Sequence, residues 1–191
     1  MRATHIATAG LLLAFACLAA PARAQTPPAS VVVANPTYVT IPMEVTVNKS
    51  AADVWARIGK YCDIKDWFPL ACTILSGKED EIGAVRSVAT EIMVGKTALS
   101  YTYTQAPREG RPYNLYHGTL EARPLTATTS KLIYTLFFDN SMLPDQAAKD
   151  KDRAGKMATF TRALENMKIL AEGGMLPPPP AKPAAPTPAA R

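Results

Sequence analysis

Cysteine is scarce in this 191-residue chain, with three residues, and histidine is scarcer still, with two. Neither Gly-x-Ser-x-Gly nor His-Glu-x-x-His occurs, and no glycine-rich loop could cradle phosphate. These absences exclude the commonest hydrolase, metalloprotease and nucleotide-binding arrangements. Long hydrophobic runs are missing as well. The apolar stretch from Ile6 to Ala20 is too short to span a bilayer; it follows Arg2 and ends in Pro21 and the small-x-small triplet Ala22-Arg23-Ala24. That is the pattern of a secretory signal peptide cut after Ala24, so the product is expected in the periplasm or outside the cell, with no membrane span.

A strong charge of one sign is also lacking. Without residues 1–24, 19 basic residues face 16 acidic ones, a net charge of +3, and the two signs are mixed, as in KDKDR. Nucleic-acid binders gather basic residues on one face, so nucleic acid is not an expected partner. The length suits one domain with its own core, expected as a monomer.

Of the cysteines, Cys62 and Cys72 remain after the signal segment, and export puts them where a close pair bridges. Closing that loop is worth roughly 2.5–3 kcal/mol on the chain-entropy model. The alternative is a metal site made with His117, but no Cys-x-x-Cys or His-x-x-x-His spacing supports it, and none is expected.

A polar leader (25–37) precedes Val39–Val47, whose odd positions are apolar and even positions mostly polar, the mark of a strand with one buried face. Pro42 within it demands an edge or a bulge. Ser50, with Asp53 three residues on, caps a helix in which Val54, Trp55 and Ile58 share a face and which Gly59 ends. A short second helix near Asp63–Trp67 stops before Pro69. From there the period returns to two, predicting strands near 72–77, 84–90, 91–96, 98–105, 113–123 and 130–139, a run that reads as an antiparallel meander. A long helix starts at Asp145, with Met157, Phe160, Leu164, Met167 and Ala171 on its apolar stripe, and closes at Gly173-Gly174. Residues 175–191 form a Pro/Ala-rich tail, expected to be extended and disordered.

This order, together with SAADVWARIGKYCDIKDWFP, GAVRSV, SYTYTQ and TSKLIYTLFFD, resembles the START/Bet v 1-like superfamily in its polyketide cyclase/dehydrase and lipid transport branch. The resemblance covers about residues 38–172, within an expected domain at 38–174. It implies an α+β helix-grip fold, a curved antiparallel sheet wrapped around a long C-terminal helix, with a cavity between the two. On that fold the Cys62–Cys72 bridge would pin the Trp67-Phe68-Pro69-Leu70 flap at the cavity mouth. The expected function is a carrier or binding protein for a hydrophobic or lipid-like small molecule, with no cofactor implied. Two alternatives are a cyclase/dehydratase-like enzyme and an accessory protein for a periplasmic enzyme.

The residues expected to touch a ligand are Trp67, Phe68, Arg86, Tyr101, Tyr103, Tyr134, Phe160 and Leu164. Strand parity leaves Arg86 two facings: outward to solvent, the ordinary expectation, or inward, where a buried guanidinium requires an anionic partner. The tyrosines could offer hydroxyls to a ligand or simply pack across strands. General acid/base work would fall to Glu91 or His117, although nothing in the spacing pairs them and a satisfied strand histidine is the ordinary reading.

Overall fold

The computed structural model describes residues 33–106 and 113–177. The expected signal segment, most of the leader and the body of the Pro/Ala tail lie outside these residues. Among the described residues, seven strands form one antiparallel sheet: β1 (Tyr38–Val47), β2 (Ile74–Ser76), β3 (Val85–Arg86), β4 (Glu91–Thr97), β5 (Ser100–Gln105), β6 (Asn114–Pro124) and β7 (Ser130–Asp139). Their spatial order is β1-β7-β6-β5-β4-β3-β2, a meander whose last strand returns to pair with the first. The helices are α1 (Ala51–Ile58), α2 (Ile64–Trp67) and α3 (Gln146–Ala171).

The local chemistry explains the boundaries. Ser50 Oγ accepts from Asp53 N at 3.1 Å and caps α1. Asp145 does the same for α3 through Ala148 N at 2.8 Å. Pro42 stands opposite Thr135 in unbroken register, which is possible because β1 is an edge strand. Two carbonyls of that strand meet α3: Arg153 Nη1 donates to Thr40 O at 3.3 Å, and Lys168 Nζ donates to Thr46 O at 2.8 Å.

One face of the sheet buries Ile41, Val47, Leu120, Leu132, Leu136 and Phe138 against α1 and the C-terminal half of α3, where Ala163, Leu164 and Met167 are buried. Gly118 serves a close approach: a Cβ there would lie 2.4 Å from the Tyr103 ring and hydroxyl, so only glycine lets that ring cross β6. Cys62 and Cys72 are joined as a disulfide, Cα atoms 5.4 Å apart, which removes two of the three ligands of the metal alternative.

Two expectations need correction. The strand expected at 84–90 is paired only over Val85–Arg86; Ala89 (φ 49°) and Thr90 (φ 56°) turn through the left-handed region and bring Glu91 opposite Arg86. Met157, placed on the apolar stripe of α3, is 40% exposed. At 3.6 residues per turn, eleven residues close about three turns, so the position in line with Met167 is Lys156.

Candidate functional site

An open cleft of about 590 Å³ lies between the N-terminal half of α3 and the adjoining ends of β5 and β6. Tyr113, Tyr116 and Phe160 give it aromatic walls, while Gln105, Asp152 and Lys156 contribute polar groups. The helical period delivers Asp152 and Lys156 to the same wall, one turn apart. Lys156 Nζ donates to Asp152 Oδ1 at 2.6 Å and to the Tyr113 hydroxyl oxygen at 2.7 Å. The Tyr113 hydroxyl in turn donates to Asp152 Oδ1. The ammonium also sits 4.0 Å from the centre of the Tyr113 ring and 5.1 Å from that of Phe138, positions in which ring faces attract a cation. Both charged side chains are mostly buried, with 14% and 16% of their surface exposed.

A second ion pair lies deeper. Arg86 is fully buried, and its Nε donates to Glu91 Oε2 at 2.7 Å while Nη1 donates to Tyr61 O at 2.6 Å. Tyr61, Tyr101 and Tyr103 surround the guanidinium, their ring centres 4.2, 5.7 and 5.0 Å from it. Burial works against the Arg86 charge, but Tyr101 and Glu91 outweigh it and hold the group protonated, its pKa raised. Burial raises the hydroxyl pKa of Tyr101, and pushes those of Tyr103 and Tyr134 well above the ordinary tyrosine value. The Tyr103 and Tyr134 hydroxyls bond each other at 2.9 Å. Strand register sets Arg86, Glu91 and Gln105 in one row across β3, β4 and β5, and Gln105 Nε2 donates to Glu91 Oε1 at 3.1 Å. Gln105 therefore joins the floor of the cleft to the sealed pair.

No family model and no curated protein matches the sequence. Solved structures do match. A solution structure from Thermobifida fusca aligns over 72% of this chain and 97% of its own, at 23% identity and a TM-score of 0.59. A Streptomyces aromatase/cyclase aligns over 73% of this chain and all of its own, at 16% identity and a TM-score of 0.53. This is the Bet v 1-like helix-grip fold. Norcoclaurine synthase from Thalictrum flavum, solved with dopamine and hydroxybenzaldehyde, shares the helix-grip architecture over 74% of this chain and 91% of its own, at 12% identity and a TM-score of 0.53.

Within the helix-grip frame, the residues singled out from the sequence separate into four groups. Phe160 lines the cleft, half-buried, its ring 4.7 Å from Tyr134 and 6.0 Å from Phe68. Trp67, Tyr101, Tyr103, Tyr134 and Leu164 are packed in the core, and Phe68 rests against it. Arg86 faces inward, not outward, and its anionic partner is Glu91 of the same chain. His117 belongs to the opposite face of the sheet, bonded through Nδ1 to Leu115 O at 2.6 Å beside Phe137, so His117 and Glu91 share no site. Asn166 Nδ2 on α3 donates to Trp67 O at 3.0 Å, and none of the flap residues Trp67, Phe68, Pro69 and Leu70 lines the cleft. Asp152, Lys156, Tyr113, Tyr116 and Gln105 were not foreseen. In the sequence the first two belong to a charged run that reads as a solvated face; the available signal was the eleven-residue spacing from Lys156 to Met167 and from Asp152 to Ala163.

Proposed function

We propose that this protein is an exported binding or carrier protein for a hydrophobic small molecule, seated in the cleft beneath the N-terminal half of α3. The observation that carries this reading is the aromatic-walled volume of about 590 Å³, within the size range of small-molecule sites. The fold supports it, since the helix-grip neighbours include an aromatase/cyclase and a synthase solved with two small aromatic compounds. Apolar burial at about 25 cal/mol per Å² would supply most of the affinity.

Native mass spectrometry of the protein purified from expressing cells, with solvent extraction, tests the reading. A stoichiometric hydrophobic adduct is expected. A clean mass, with no uptake from a panel of lipids and aromatic compounds, overturns it. Gly155 provides the control. It borders the cleft, and a Cβ there meets nothing within 4 Å. Gly155→Leu should therefore strengthen α3 by about 1 kcal/mol through helix propensity, while its side chain intrudes on the bound molecule and lowers uptake.

The accessory-protein reading draws on a different observation: the tyrosine cluster fills the interior, while Tyr38 and Phe137 stack in the open on the outer face, ring centres 5.5 Å apart. A clean mass would shift weight to that reading.

A further inference from the structure

Resting on the cleft reading, we infer that the ligand is a flat amphiphilic anion, an aromatic carboxylate, whose acid group meets Lys151 at the rim of the cleft. The reason the cleft is open lies in one face of α3. Ala148, Lys151, Asp152, Gly155, Lys156 and Thr159 recur at helical spacing on that wall. Eleven residues beyond Asp152 and Lys156, the same face carries Ala163 and Met167, both buried in the core. Large apolar side chains in the first half would close the helix onto the sheet. Ala148 and Gly155 stand there instead, and a Cβ at Gly155 would meet nothing within 4 Å. The space is therefore two-sided: Tyr113 and Tyr116 supply aromatic surface, and the helix opposes them with small and polar residues.

Three charged residues line the helix side, and two of them are spent on each other. Lys156 donates to Asp152 Oδ1 and to Tyr113 and packs on the Tyr113 and Phe138 rings, while Asp152 Oδ2 is covered by neighbouring atoms. That pair is neutral as a unit. Lys151 differs: it is exposed, it lines the cleft, and among the described residues no hydrogen bond or ion pair engages it. Its neighbours one turn away are Ala147, Ala148, Ala154 and Gly155, so its own helix offers it no carboxylate. Asp150, adjacent in sequence, accepts from Gln146 Nε2 at 2.8 Å instead. The cleft thus ends in one uncommitted positive charge, set among small residues that leave an incoming group room. An aromatic acid answers the whole arrangement, its ring on Tyr113 and Tyr116 and its carboxylate at Lys151, where it keeps part of its hydration and no charge has to be buried. A neutral ester keeps the ring contact alone, and an ammonium meets Lys151 with like sign.

The test titrates 2-naphthoate, its methyl ester and 2-naphthylmethylamine by calorimetry at neutral pH into the full-length chain and into Lys151→Gln and Gly155→Leu. The readout is the ratio of acid affinity to ester affinity, which cancels the ring contacts that both share. Lys151→Gln should lower that ratio about three- to fivefold, the scale of one exposed ion pair, and leave the ester affinity unchanged, which shows that the variant is folded. Sodium chloride at about 0.5 M should shrink the ratio in the unmodified chain and hardly move it in the variant. The amine should bind more weakly than the ester and recover in Lys151→Gln. Gly155→Leu should weaken acid and ester alike, because both occupy the same space. A ratio unmoved by Lys151→Gln, an equal loss of acid and ester in that variant, or an amine bound as tightly as the acid would overturn the anion assignment, and ester binding that Gly155→Leu weakens would leave the cleft reading standing. No binding of any of the three, or binding that Gly155→Leu leaves intact, would overturn both.

Discussion

Among the described residues two ion pairs are clasped by tyrosine, and they differ in what surrounds them. Arg86–Glu91 is fully buried, with the Tyr61 carbonyl, three tyrosine rings and the Gln105 amide around it. Lys156–Asp152 uses the same ingredients at the edge of a cleft, with one oxygen left over. The first is closed to any visitor; the second borders a space that one can enter. Burial alone does not mark a functional group. Open volume beside the group does.

Breaking one partner in each pair sharpens that contrast. Glu91→Ala leaves a fully buried guanidinium without its carboxylate and should cost about 3–5 kcal/mol, read as a lowered denaturation midpoint. The double change Arg86→Met/Glu91→Leu should recover much of that loss, because it removes the stranded charge. Cys62→Ser/Cys72→Ser comes next, at roughly 2.5–3 kcal/mol in melting experiments, and should loosen the flap that Asn166 holds from α3. Gly118→Ala forces the Tyr103 ring out of its place across β6 and should cost about 1–3 kcal/mol through overpacking. Lys156→Met should cost about 1–3 kcal/mol, less than Glu91→Ala because the pair borders the cleft, while weakening ligand uptake; a stability loss matching that of Glu91→Ala would erase the contrast between the two pairs.

Alkaline titration reads the sealed cluster without mutation, and its effect at neutral pH is nil. Tyr61, Tyr101, Tyr103 and Tyr134 all have pKa values raised by burial. Their folded values lie above the unfolded one, about 10, so their contribution is fully present below that pH and is lost as pH climbs past it. These four of the seven tyrosines should ionise only as the protein unfolds, which tyrosinate absorbance followed alongside circular dichroism will show.

Much of the fold was legible because it rests on short-range chemistry. The alternation of β1, the Ser50 cap, the edge-seeking Pro42 and the long α3 each follow from a few adjacent residues. The facing of Arg86 was not legible, because it depends on a turn through Ala89 and Thr90, residue types that rarely adopt left-handed backbone. That turn carries Glu91 into register with Arg86, a pairing no spacing announces. The cleft wall escaped for the opposite reason. Lys156 and Asp152 have ordinary backbone, but their charge reads as solvent exposure, and only Tyr113, some forty residues away in sequence, turns them inward.

The treatment of β1 has a consequence for how these molecules meet one another. An open sheet edge is a template on which a second chain can add a strand. Here the outer side of β1 lacks one donor at Pro42, and two of its carbonyls, those of Thr40 and Thr46, are already engaged by Arg153 and Lys168. A strand arriving from another copy would find three gaps along ten residues where hydrogen bonds are due. The sheet ends at β1 by chemistry as well as by connectivity, which favours separate molecules over fibrils when the protein is crowded.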